Sequence, residues 1–80
     1  MNITELRYLV AIKKWGSVSA AAKQLYAAQP NVSKALKKLE EEYGLRIFER
    51  SSTGMIPTEQ GRRFIEQAAR AVSYTHLRAH

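Results

Sequence analysis

The stretch Q-P-N-V-S-K-A-L-K-K-L-E-E-E-Y-G, residues 29–44, decides the fold. Pro30 suits a first helical turn, where its missing N–H breaks no helical bond. Val32, Leu36, Leu39 and Tyr43 then recur at steps of four, three and four, which lines one face of a helix. Gly44 closes it, because glycine takes the left-handed conformation of a helix end without steric cost. At about 100° per residue, Gln29, Pro30, Ser33, Lys34 and Lys37 fall on a neighbouring arc. That arc carries an amide, a hydroxyl and two ammonium groups near the start of the helix, whereas Glu40, Glu41 and Glu42 crowd its end. The order opposes the helix macrodipole, which favours acid first and base last. Such charges also occur on many solvated helix faces, but an order that opposes the dipole points to a role besides helix stability.

Upstream, Tyr26-Ala27-Ala28 is too short for anything but a turn. Before it, Ala20 to Tyr26 reads as a short helix of high propensity, capped by Ser17 or Ser19. A helix, a tight turn and a second helix that begins polar and basic make a helix-turn-helix. Residues 2–15 form an earlier helix, with Asn2 and Glu5 in a capping arrangement, Leu6, Leu9 and Val10 at helical spacing, and Trp15-Gly16 as its end. Downstream the period changes. Residues 45–50 and 55–57 are strand-like, and Ser51-Ser52-Thr53-Gly54 is turn chemistry, so a small hairpin is expected. Thr58 can cap a last helix, with Glu59 in its first turn and Phe64, Ile65, Ala68 and Ala69 on one side.

Eighty residues allow one small domain with a thin core. There is no cysteine, which excludes a disulfide framework and thiolate metal sites. No apolar run reaches the roughly 20 residues of a membrane span, and no signal-peptide pattern follows Met1, so a cytoplasmic protein is expected. Lys and Arg number 13 against 7 Asp and Glu, a net charge of +6 with a pI near 10.0. That excess points to a polyanionic partner. There is no nucleophile–base pairing and no phosphate-binding glycine loop, and Glu40 to Glu42 splay around their helix rather than converge, so no enzyme and no cofactor are expected.

The charged arc suits a helix that enters the major groove of double-stranded DNA by its N-terminus. Gln29 offers the donor–acceptor pair that matches adenine, Lys34 can reach guanine, and Ser33 adapts to several partners. Arg50 and the hairpin tip add a second basic point, suited to phosphate or the minor groove. Ser17 and Ser19 read first as caps, with phosphate contact as a second role. Two other classes remain open: a docking module whose charge is incidental, and RNA or non-specific nucleic-acid binding. Tyr8, Trp15, Tyr43, Phe48 and Phe64 mostly fall on apolar faces, which disfavours RNA.

Taken together, the helix above and the segments G-S-V-S-A-A-A-K-Q-L-Y, L-R-I-F-E-R and I-P-T-E-Q-G resemble the DNA-binding domain of LysR-type transcriptional regulators, without a gap from Met1 to about Ala71. The resemblance implies a mainly α, winged helix-turn-helix fold: a three-helix core, a short β-hairpin wing and a C-terminal linker helix. It implies residues 1–58 as the DNA-binding domain and 59–71 as the start of a dimerisation helix, with Phe64, Ile65 and Ala68 as candidate dimer contacts. Position by position, Gln29, Pro30, Ser33 and Lys34 match the base-reading start of the recognition helix. Lys37 matches a backbone-facing position, and Arg50, Thr53 and Gly54 match the wing. The implied partners are a dyad operator in duplex DNA and a second copy of the chain. A small-molecule inducer is implied only for a longer form carrying an effector domain. Two departures stand out: Ala27-Ala28 replace the capping Ser or Thr usual before Q-P, and Lys34 stands where Arg is common.

From Val72 the amphipathic pattern breaks. V-S-Y-T-H-L-R-A-H, residues 72–80, resembles the translation of a transposase-type sequencing-library adapter residue for residue, so a non-native tail is expected there. His76 and His80 are spaced to share a helix face, but with no cysteine and no nearby carboxylate they make a weak metal signal, and no metal site is expected.

Overall fold

In a computed structural model the chain runs α1 (Ile3–Trp15), α2 (Val18–Gln24), α3 (Gln29–Tyr43), β1 (Phe48–Ser51), β2 (Gly54–Pro57) and α4 (Glu59–Ala79). The structure describes the backbone of residues 1–79 and the side chains of residues 1–71. Among the described residues, no helix is long and apolar enough to cross a membrane.

Each helix begins where its local chemistry allows. Asn2 caps α1 through a reciprocal box: its Oδ1 accepts the Glu5 N–H at 2.8 Å, and its own N–H donates to Glu5 Oε1 at 3.0 Å. Gly16 ends α1 in the left-handed conformation, φ 81°. Ser17, not Ser19, caps α2, its Oγ accepting the Ala20 N–H at 3.0 Å, and the helix stops at Gln24, two residues before the expected end at Tyr26. Tyr26 instead lies in the turn with φ 55°. Ala28 stands at the N-cap of α3 with no side-chain hydrogen bond.

The core is built where α1, α2 and α3 meet the segment leading into the hairpin. Leu9, Ile12, Ala21, Val32, Leu39 and Ile47 are fully buried and Phe48 is 2% exposed. At about 1.5–3 kcal/mol per large apolar side chain, this cluster supplies most of the cohesion of so small a domain. Val32, Leu36 and Leu39 bury the expected face of α3, whereas Tyr43 is 43% exposed and packs its ring 4.8 Å from that of Phe64. Val10 does not join the core; it is 41% exposed, and Ala11 and Ile12 take the buried positions of α1.

The hairpin is antiparallel, pairing Phe48 with Pro57 and Ser51 with Gly54. The strand begins at Phe48 rather than Leu45, because the Ile47 and Phe48 N–H groups donate to the Glu40 carboxylate, at 2.7 and 3.4 Å, instead of to a neighbouring strand. Thr58 explains the start of α4. Its Oγ1 accepts the Gly61 N–H at 2.9 Å and donates to the Arg46 carbonyl. Gly61 is needed there, since a Cβ would overlap the Ile47 carbonyl. Ile65 is 3% exposed, packed within the protomer's own core. The α4 backbone continues to Ala79, through the segment expected to be non-native. The side chains of the expected foreign tail, with the His76–His80 pair, lie outside the described residues.

Candidate nucleic-acid interface

The start of α3, the start of α2 and the hairpin converge on one shallow notch of about 270 Å³. Gln29 and Ser33 line it from α3, Ser17 and Ser19 from α2, and Arg50, Ser51 and Gly54 from the hairpin. Gln29 and Ser33 are four residues apart on one edge of α3, and both are exposed. Pro30, Lys34 and Lys37 are exposed on the adjoining outward face. The sequence thus placed these residues on one surface, and the fold adds Arg50 from a strand seventeen or more residues away.

The hairpin is held in this position by backbone. Met55 N–H donates to the Gly16 carbonyl at 2.8 Å, so the hairpin is pinned to the α1–α2 turn. Gly54, at φ 125°, lies against the same carbonyl; a Cβ there would sit 2.5 Å from the Gly16 oxygen. Gly54 is therefore a docking residue of the hairpin as well as part of its tip. Thr53 is engaged in the turn, its N–H donating to Ser51 Oγ at 3.2 Å and its hydroxyl 3.1 Å from the same atom. Ser17 spends its oxygen on the α2 cap, while Ser19 is exposed one residue inside that helix.

Charge is distributed unevenly. The ion pairs among the described residues join Lys38 to Glu5, Arg62 to Glu59 and Glu66, and Arg63 to Glu59. None of them involves Lys34, Lys37 or Arg50, so among the described residues these cations form no ion pair. The Lys38 ammonium, 3.0 Å from the buried Glu5 carboxylate, holds the latter below its usual range, helped by the Asn2 N–H. Lys38 is thereby committed to the back of α3 and is not part of the cationic face, a pairing that the one-dimensional charge pattern did not reveal.

Chemically, the surface offers amide and hydroxyl groups that can read base edges and cations that can neutralise phosphates. Exposed aromatics do not line it. Trp15 and Tyr43, two of the five aromatics expected on apolar faces, are 45% and 43% exposed, and Tyr26 is 98% exposed, but all three lie outside the notch.

A short turn between α2 and α3, with a two-stranded hairpin docked beside them, defines a winged helix-turn-helix protein. A family profile described as "Bacterial regulatory helix-turn-helix protein, lysR family" matches residues 3–62. The chain belongs to that family. The HTH-type transcriptional regulator ClcR of Pseudomonas putida is 34% identical over 77 residues, which cover 96% of this chain and 26% of ClcR. The crystal structure of the CbnR DBD–DNA complex superposes with a TM-score of 0.89 at 32% identity, covering 99% of this chain and 91% of that one. For the BenM DBD/benA site 1 DNA complex the TM-score is 0.86 at 34% identity, covering 99% and 89%. The chain spans about a quarter of the length of the curated relatives it matches.

Proposed function

We propose that this chain is the DNA-binding domain of a bacterial LysR-type transcriptional regulator, acting in the cytoplasm on a dyad operator in double-stranded DNA. The observation that carries the reading is the convergence of Gln29, Ser33 and Arg50 on one notch beside cations that form no ion pair among the described residues. That similar domains of CbnR and BenM were crystallised with DNA supports it. In this reading α3 enters the major groove by its N-terminal half. Gln29, Ser33 and Lys34 read base edges, with Pro30 setting the helix start. Lys37, Arg50, Thr53 and Ser19 set register on the backbone, where a phosphate contact carries no sequence information. The acidic end of α3 stays clear of the phosphates.

Two copies pair through α4, the exposed side of Phe64 and the half-buried Ala68 facing the partner, so that each recognition helix serves one half-site. Response to a small molecule belongs to an effector domain in the rest of a longer regulator. Control of transcription, rather than catalysis, is the activity.

The test is discrimination, not affinity alone. With the preferred duplex in hand, Gln29→Ala should lose roughly 1–3 kcal/mol of preference at one base pair and leave the others intact. Equal loss on preferred and random duplexes would refute its base-reading role.

A further inference from the structure

The recognition helix and the wing are usually thought of as two contacts, but here one side chain joins them. Glu40 lies eleven residues after Gln29 and seven after Ser33, which at about 100° per residue returns it to within about 20° of both. It therefore belongs to the same edge of α3 as the proposed base-reading residues. Its Oε2 accepts the Ile47 N–H at 2.7 Å and the Phe48 N–H at 3.4 Å. Phe48 opens the strand whose third residue is Arg50. The other side of the same segment is held from α4, where Thr58 N–H donates to the Ile47 carbonyl at 2.9 Å and Thr58 Oγ1 to that of Arg46. The root of the wing is thus bracketed, and beside the apolar packing of Ile47 and Phe48 in the core, the side-chain hydrogen bonds from α3 come from one carboxylate.

We infer that Glu40 is a positioning residue: it fixes the wing against the recognition helix, so that Arg50 reaches its phosphate in register with Gln29 and Ser33. A carboxylate near nucleic acid is otherwise unfavourable, and this one is half-buried with its acceptor oxygen turned to two backbone donors. Its contribution to binding is geometric. The inference rests on the DNA-binding reading above.

The experiment is a set of double-mutant cycles in the full 80-residue chain, read by fluorescence anisotropy on a duplex selected for the wild type. The cost of Arg50→Ala is measured in the wild type, in Glu40→Gln and in Glu40→Asp. Gln keeps an acceptor oxygen in place and loses the charge. Asp keeps the charge but withdraws the oxygen by about 1.5 Å, beyond hydrogen-bonding distance of Ile47. A charge-assisted phosphate contact makes Arg50→Ala cost roughly tenfold in affinity in the wild type. The cost stays near tenfold in Glu40→Gln and falls below about threefold in Glu40→Asp, where the wing no longer presents Arg50 in register. Equal costs in all backgrounds overturn the inference. So does the reverse order, which makes the role one of charge.

Amide hydrogen exchange supplies a readout without DNA. Glu40→Asp lowers protection of the Ile47 amide relative to the core amide of Leu9, and Glu40→Gln does not. A merely destabilised fold lowers both amides together. If Arg50→Ala costs nothing in the wild type, the wing contact fails and the exchange ratio alone decides the place of Glu40. Unchanged Ile47 protection in Glu40→Asp overturns it there too.

Discussion

Replacing Gly54 by alanine probes how the wing is attached. The added Cβ meets two obstacles: φ 125° is a backbone conformation that L side chains rarely adopt, and the atom would stand 2.5 Å from the Gly16 carbonyl oxygen. Backbone strain of this kind costs about 1–3 kcal/mol. The same carbonyl accepts the Met55 N–H at 2.8 Å, and losing that bond adds about 1 kcal/mol. Gly54→Ala should therefore cost about 2–4 kcal/mol. With an unfolding entropy of about 2.1 cal/mol/K per residue, one kcal/mol corresponds to about 6 °C in an 80-residue chain, so Tm should fall by roughly 12–24 °C. Gly16→Ala is the internal control. Its φ is 81°, but nothing lies within 4 Å of the new Cβ, so only the backbone term applies and the loss should be about 1–2 kcal/mol. The assay is thermal unfolding by circular dichroism on both variants, at one protein concentration. A fall of under about 3 °C for Gly54→Ala, or a loss equal to that of Gly16→Ala, would show that the wing is not pinned at this carbonyl.

Four further outcomes follow from the same geometry. Ala28→Ser supplies the missing cap of α3 and should stabilise the fold by about 1 kcal/mol, read as a shift of the urea midpoint at constant slope. Because the folded-state pKa of Glu5 is lowered, its contribution is complete above the ordinary carboxylate value of 4.5 and is lost as pH falls through the lower folded value. Urea midpoints followed from pH 6 downward should therefore decline less steeply below that value in Glu5→Gln than in the wild type. The raised pKa of Lys38 keeps its charge, and so the pair, intact until pH rises past 10.5; melts between pH 6 and 9 should show no titration of this pair. Arg50→Ala should weaken all duplexes alike and flatten the slope of log K against log salt by about 0.9, as expected for one released counterion, in anisotropy titrations at several salt concentrations.

Most of the architecture was legible because it is written in local rules. The Asn2–Glu5 box, the Gly16 and Gly44 helix ends, the four-three-four spacing from Val32 to Tyr43 and the turn residues Ser52-Thr53 each act over a few positions. Boundaries slipped where a distant group intervened. The hairpin starts late because Glu40 takes the Ile47 N–H, and Val10 is displaced from the core by the way α1 is rotated against its neighbours. The site was legible in its helical half, where Gln29, Ser33, Lys34 and Lys37 share a face by periodicity. That Arg50 lines the same notch depends on a backbone hydrogen bond from Met55 to Gly16, which no local pattern encodes. The three consecutive glutamates show the limit most clearly. Glu41 and Glu42 are exposed as their composition suggests, whereas Glu40 is half-buried and bound to backbone. Ile65 shows the same limit in an apolar residue: its spacing put it on an apolar side of α4, and only the packing shows it within the protomer's own core.

Sequence preference is the central claim, and selection from a pool of random duplexes tests it most directly. The chain is bound at physiological salt, the retained DNA is sequenced, and the enriched duplex is compared with a shuffled one of equal composition. The account predicts an enriched site with two related halves about one helical turn apart, bound at least 10³-fold more tightly than the shuffled duplex. A steep salt dependence with no enriched sequence would contradict it and leave only an electrostatic, non-specific binder.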